Sequence, residues 1–139
     1  MRVYVDSSAL LRWLLKQPGA IERFGEWEWA VASELTRIEA GRTLDRMRVR
    51  GKLTDRDVAE LVRSLGGALN RFEEIRIERP ILERVASPFP TAIGTLDAIH
   101  LSTALLWMAR RAVPLTFLTH DRQLAIAAQA SGLDVWPAL

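Results

Sequence analysis

Short runs of consecutive apolar residues alternate along this chain with longer stretches in which apolar positions recur every three or four residues. The short runs predict buried strands and the longer stretches amphipathic helices. Val3-Tyr4-Val5 places a strand at 2–5, and Leu10, Leu11, Leu14 and Leu15 place a helix over 7–16 that stops at Gln17-Pro18-Gly19. A second strand is expected at 28–32, followed by a helix from 34 to 50 that ends at Gly51. Thr54 can cap a helix running to Asn70, with Val58, Leu61, Val62 and Leu65 on its apolar face. Alternation over Phe72–Ile77 predicts a third strand, Arg79-Pro80 opens a short helix, and Pro88-Phe89-Pro90 is a break. The most apolar helix covers 96–110; a strand at 115–118, a helix at 122–131 and a strand at 133–136 follow, with Gly132 as the C-terminal cap between the last two.

This is a βα alternation interrupted by two extra helices in the middle. It predicts an α/β fold, a three-layer α/β/α domain with a mainly parallel central sheet, as one unit over 1–139. The helical pair at 34–70 is the expected arm or dimer-forming element. No internal repeat, low-complexity tract or linker interrupts the pattern.

Four acids stand where apolar segments end: Asp6 after the first strand, Glu39 beyond the second, Asp97 at the start of the most apolar helix, and Asp121 after Leu115–Thr119. Open parallel sheets bind ligands outside the carboxyl ends of their strands, so these carboxylates should converge. A carboxylate cluster without a neutralising Lys or His suits a hard divalent cation. Each acid also has a structural reading. Asp6 and Asp121 can cap the helices that follow them, Asp97 can interact with its helix dipole, and Glu39 can close a capping box from Thr36.

Composition narrows the field. The 139 residues are 49% hydrophobic and 26% charged, ordinary for a globular protein, and the absence of cysteine excludes disulfides and thiolate metal sites. The opening residues form no signal-peptide apolar region, and the longest apolar stretch, near Ala104–Ala109, is too short to span a bilayer, so no membrane association and a cytoplasmic location are expected. Net charge is only +2, yet the basic residues are 17 Arg against 2 Lys. Guanidinium groups suit phosphate, but so small a net charge makes any phosphate-binding patch local. P-loop and dinucleotide-binding glycine patterns are missing.

Four segments, in order, resemble the motifs of PIN-domain proteins. They are Val3-Tyr4-Val5-Asp6-Ser7-Ser8-Ala9-Leu10, Ser33–Glu39, Thr95-Leu96-Asp97-Ala98-Ile99-His100-Leu101-Ser102-Thr103-Ala104, and Thr119-His120-Asp121-Arg122-Gln123-Leu124. The likeness spans nearly the whole chain and is nearest to the VapC-type ribonuclease toxins of toxin–antitoxin pairs. It implies an endoribonuclease dependent on Mg²⁺ or Mn²⁺, cutting structured RNA such as tRNA or rRNA, restrained by a cognate antitoxin, and homodimeric. The family's acidic positions fall on Asp6, Glu39, Asp97 and Asp121, with Asp6 and Asp97 expected as direct metal ligands. Glu39 is preferred over Glu34, which lies a little over one turn earlier and faces another way.

Neighbouring residues supply the rest of the expected site. Ser7 and Ser8 can donate to Asp6 or to a phosphate, with Ser7 the favoured one, and Thr119 lies within reach of a phosphate or a metal-held water. His100 shares a helical face with Asp97, but its apolar flanks point to a buried, hydrogen-bonded imidazole; His120 is expected to face solvent. Arg42, Arg46 and Arg50 continue the face of Glu39 and form a candidate RNA-guiding stripe, with Arg12 and Lys16 a weaker basic pair. The tryptophans at 13, 27, 29, 107 and 136 are expected in packing rather than base stacking, and Leu11, Trp13, Leu14 and Leu15 as part of an antitoxin or dimer face. Two other readings compete: a catalytically silent PIN-like binding module, disfavoured by the presence of all four acids, and a phosphotransferase with Asp6 as nucleophile, disfavoured because Ser8 stands where a second acid is usual.

Overall fold

The structure, a computed structural model, describes residues 1–137. In chain order its elements are β1 (Arg2–Val5), α1 (Ser7–Leu14), β2 (Trp29–Ser33), α2 (Glu34–Val49), α3 (Asp55–Leu69), β3 (Glu73–Ile75), α4 (Arg79–Val85), α5 (Thr95–Arg111), β4 (Thr116–Leu118), α6 (Arg122–Ala130) and β5 (Asp134–Trp136). Every element expected from the apolar pattern is present, with ends moved by a residue or two. The third strand is the largest change. Six residues of alternation yield three in the sheet, because Phe72 packs into the core beneath and the Ile77 N–H is taken by the Glu34 carboxylate at 2.9 Å.

The five strands are all parallel, in the order β3-β2-β1-β4-β5. Strand side chains alternate faces, and here the alternation divides the interior in two. Val3, Val5, Ala30 and Leu118 point to one core, covered by Leu10 and Leu14 of α1, Ala40 and Leu44 of α2, and Leu65 and Leu69 of α3. Tyr4, Val31 and Phe117 point to the other, covered by Leu101 and Trp107 of α5 and Leu124 and Ala128 of α6. Tyr4 and Phe117 stack across the β1–β4 pair with centroids 4.9 Å apart. A sheet buried on both faces explains why its strands read as unbroken apolar runs.

The chain leaves β1 toward β2 on one side and returns to β4 on the other, so the topological switch lies between β1 and β4. A crevice must open there at the carboxyl ends of the strands. Asp6 follows β1 and Thr119 follows β4, and their strands are joined at that point by the Asp6 N–H donating to the Leu118 carbonyl at 3.2 Å.

Helix ends follow local chemistry. Thr54 and Asp57 form a reciprocal capping box at α3, with bonds of 3.1 and 2.9 Å. Gly132 takes φ +89° after α6, and its N–H and that of Leu133 bond the Gln129 and Ala128 carbonyls, the paired closure expected at that glycine. The same closure ends α1 two residues earlier than expected, with Lys16 forced to φ +52°. Among the described residues no helix is long and apolar enough to cross a membrane. Removing the α3 cap with Thr54→Ala is expected to lower stability by about 1 kcal/mol, readable as an earlier urea midpoint with unchanged m-value.

Candidate active site

Asp6 is 3% exposed, and both its oxygens are engaged. Oδ1 accepts from the Ala9 N–H at 2.9 Å, capping α1, and from Ser8 Oγ at 2.7 Å; Oδ2 accepts from Thr119 Oγ1 at 2.7 Å and from Ser8 Oγ at 3.0 Å. The two hydroxyls are themselves held from behind. His120 N–H donates to Ser8 Oγ at 2.8 Å, and Asp121 N–H donates to Thr119 Oγ1 at 3.0 Å. Each hydroxyl has one proton, and both protons go to Asp6, which an ionised carboxylate can accept. Burial pushes the Asp6 pKa up, while nearby His100 and the donors Thr119, Ala9 and Ser8 work in the opposite direction. The result is a carboxylate in a dry place with its direction over-determined.

The favoured supporting serine is therefore the wrong one of the pair. Ser7 makes no side-chain hydrogen bond among the described residues, whereas Ser8 bonds Asp6 and bridges to the backbone after β4. When Asp6 curls back to cap the Ala9 N–H, the residue two beyond it comes within reach of both carboxylate oxygens. Thr119 follows β4, and its hydroxyl donates to Asp6 rather than facing outward to a phosphate or a water.

Asp97 occupies the first turn of α5, half-buried, and no donor among the described residues binds its side chain. Its pKa is raised, first by burial, then by the charge of Asp121, with smaller contributions from Asp6 and Glu39 and an opposing one from His100. The helix dipole favours an anion there by about 0.3–1 kcal/mol, so an upward shift means that desolvation and carboxylate repulsion win. The four acids thus occupy one electrostatic neighbourhood.

Glu39 lies a little over one turn into α2, and its capping-box reading is removed. Ser33 is the cap, accepting from the Leu35 N–H at 3.1 Å, while the buried Thr36 hydroxyl turns to the Val5 carbonyl at 3.5 Å. Glu39 Oε1 lies 2.5 Å from His100 Nε2. The cluster therefore includes one imidazole, which the expectation of a cluster without His did not foresee; the expectation that His100 is buried and hydrogen-bonded holds, at 1% exposure. Glu34 faces β3, as its bond to Ile77 requires. Asp121 is an exposed cap of α6, accepting from the Leu124 N–H at 2.9 Å.

Two surface expectations change. His120 is not solvent-facing: its Nε2 is buried without a partner, and burial, aided by Arg12, lowers its pKa. The arginine stripe is partly neutralised, because Arg42 pairs with Asp45 at 3.1 Å and Arg46 bonds Thr43 Oγ1 at 3.1 Å. Arg46 and Arg50 have no acidic partner among the described residues. Most tryptophans pack: Trp13 stacks on Phe24, Phe24 meets Trp27 edge-on, and Trp107 is buried, while Trp29 stays exposed beneath Arg111, which covers both Trp29 and Trp107. Leu14 is core, and Leu11, Trp13 and Leu15 pack partly buried against it.

Among the described residues no three acidic or imidazole groups stand close enough to chelate an ion together. The donor chemistry nevertheless fits a hard cation. Asp97 and Asp121 have no cationic partner within the described residues, the donors are oxygens, and the repulsion among them would be relieved by positive charge. Mg²⁺ keeps most of its waters and is held by one or two carboxylates, so a dispersed set suits it.

The PIN domain family profile matches residues 3–129. Ribonuclease VapC46 of Mycobacterium tuberculosis is 31% identical over 138 residues, 96% of this chain and 95% of that protein. Ribonuclease VapC35 of the same species is 33% identical over 136 residues, 97% of this chain and 86% of that protein. Among solved structures, PAE2754 from Pyrobaculum aerophilum superimposes with a TM-score of 0.66 at 23% identity, covering 97% of this chain and 92% of that one. A toxin–antitoxin complex chain from Klebsiella pneumoniae gives 0.63 at 20% identity, covering 92% and 93%. At these identities the structures speak for the fold.

A carboxyl whose folded pKa is raised costs stability while charged, and the cost falls as pH drops toward that pKa. Asp97→Asn is therefore expected to raise the melting temperature in chelator by about 1–3 °C near pH 7, with a smaller gain near pH 5. Differential scanning calorimetry at the two pH values checks both the sign and the trend.

Proposed function

This chain belongs to the PIN domain family, and we propose that it is a divalent-metal-dependent endoribonuclease, the toxin of a toxin–antitoxin pair, working as a single domain over 1–139. Its two full-length relatives are both named ribonucleases, and the toxin–antitoxin title belongs to a structural neighbour of the same fold. The observation that carries the reading is the electrostatic one: Asp97 is charged at a cost, beside Asp6, Glu39 and Asp121, at the switch point of a parallel sheet. Sites built for chemistry are where such costs are retained.

Asp6 and Asp97 are the proposed metal ligands, with Mg²⁺ the expected ion and Mn²⁺ an alternative. A bound ion supplies Lewis-acid charge neutralisation at a phosphodiester and a water of lowered pKa. The protein's own contribution is orientation. Ser8 and Thr119 hold the Asp6 carboxylate in one rotamer, so that its remaining lone pairs keep one direction. Asp97, with no competing donor, is free to ligate. Glu39 and Asp121 flank them as groups that hold a water or accept its proton.

The substrate class is structured RNA, tRNA or rRNA, with Arg46 and Arg50 guiding the backbone along α2 toward Glu39, and Arg42 contributing once released from Asp45. The partners are a cognate antitoxin and a second copy of the chain, and the setting is the cytoplasm. A phosphotransferase nucleophile at Asp6 is disfavoured because Ser8, not a second acid, stands two residues on and donates to Asp6.

In a cleavage assay with Mg²⁺, Asp6→Asn and Asp97→Asn are each expected to lower the rate by at least about a hundredfold while circular dichroism stays unchanged, since several kcal/mol of charge stabilisation would be lost. Chelator should abolish cleavage. Undiminished Mg²⁺-dependent activity in either folded variant overturns the ligand assignment, and RNA binding without cleavage by the wild type would favour a silent binding module. Replacing both Arg46 and Arg50 with Gln should raise KM severalfold and flatten its salt dependence by about the two charges removed, with kcat little changed.

A further inference from the structure

We propose that Tyr4 and His100 form a buried positioning relay that fixes the direction of the Glu39 carboxylate, Tyr4 donating to His100 Nδ1 and His100 Nε2 donating to Glu39; its kinetic consequence rests on the endoribonuclease reading, its hydrogen-bond pattern does not. The chain of contacts is unbroken. Ser33 N–H donates to Tyr4 Oη at 3.3 Å, Tyr4 Oη lies 2.8 Å from His100 Nδ1, and His100 Nε2 lies 2.5 Å from Glu39 Oε1. Tyr4 and His100 are 0% and 1% exposed, so water does not interrupt it.

Proton bookkeeping decides the roles. A phenol holds its proton at neutral pH. The Tyr4 oxygen already accepts from Ser33, and its single proton faces Nδ1. Nδ1 is then the acceptor, which leaves the ring proton on Nε2, aimed at the Glu39 carboxylate. A doubly protonated ring would set an Nδ1 proton against the phenolic one.

The relay gives Glu39 something its own helix cannot. α2 sets where the Glu39 backbone lies but leaves three side-chain torsions free. His100 pins one carboxylate oxygen and leaves the other for the site. Tyr4 and Asp6 are alternate residues of the same extended segment, so they share a face. Glu39 of α2 is thereby referenced to the same strand that Asp6 follows. His100 acts through Glu39 and is a positioning residue, not a catalytic one.

The test joins a spectroscopic and a kinetic measurement on the full chain. In ¹⁵N-resolved NMR of the wild type, His100 Nδ1 is expected to be unprotonated and Nε2 protonated; a protonated Nδ1 overturns the relay. His100→Ala is expected to lower kcat by about 10- to 100-fold, the usual effect of losing a group that orients a ligand, with KM within about twofold. His100→Gln, which keeps an amide donor, should recover part of the loss. Tyr4→Phe, which keeps the ring packing, should fall between wild type and His100→Ala in kcat, with a lowered melting temperature because the Ser33 N–H and His100 Nδ1 lose a buried partner. In a Glu39→Ala background, His100→Ala should cost nothing further; an equal loss in both backgrounds means a merely structural role and overturns the relay. If the wild type cleaves no RNA, the nuclease reading fails, and the ring-nitrogen assignment alone decides the relay.

Discussion

The interaction on which the rest depends is the burial of the Asp6 carboxylate at the switch point between β1 and β4. A lone buried carboxylate would cost several kcal/mol or become neutral. Here it accepts from the Ala9 N–H, from Ser8 and from Thr119, and those two hydroxyls accept from the backbone of His120 and Asp121. Satisfying one charge has therefore positioned the start of α1, the end of β4 and the cap of α6. The fold and the candidate site are organised by the same hydrogen bonds, which is why the site can hold like charges without unravelling locally.

This dual use resolves the competition between capping and chemistry for the four acids. Asp6 and Asp121 are caps, as their positions suggested, and capping fixes each carboxylate beside the carboxyl ends of β1 and β4. Asp97 profits from its helix dipole by a few tenths to one kcal/mol and still carries a raised pKa. Only Glu39 loses its structural explanation, because Ser33 is the cap of α2 and Thr36 turns inward. A cap is a device for fixing a polar side chain at a helix start, and in a parallel α/β sheet the helix starts sit where ligands bind.

Much of the fold was legible in the chain because a sheet covered on both faces writes each strand as an apolar run and each crossover helix as a periodic stripe. Strand order followed less directly; the βα alternation implied parallel pairing but not the order β3-β2-β1-β4-β5. The acids were legible through motif and position. Their immediate partners were not, since choosing Ser8 over Ser7 depends on how a capping carboxylate curls, a matter of torsions rather than spacing. The burial of His120 depends on packing around the loop after β4, which no local pattern encodes. Arg42 read as part of a free stripe because a pairing three residues along a helix, to Asp45, competes with any long-range role.

The electrostatics of the site also determine what the crevice attracts. Asp97 and Asp121 repel each other, with Asp6 and Glu39 adding to the negative charge around Asp97. In the free protein the repulsion is a standing cost, and anything that brings positive charge to the crevice lowers it, whether a divalent ion or a cationic side chain of a partner. Binding to the folded state alone stabilises it by RT ln(1 + [L]/Kd), about 2.7 kcal/mol at a hundredfold excess over Kd. The acids are thus short of positive charge by construction: the same caps and helix starts that hold them in place supply no cation to Asp97 or Asp121 among the described residues.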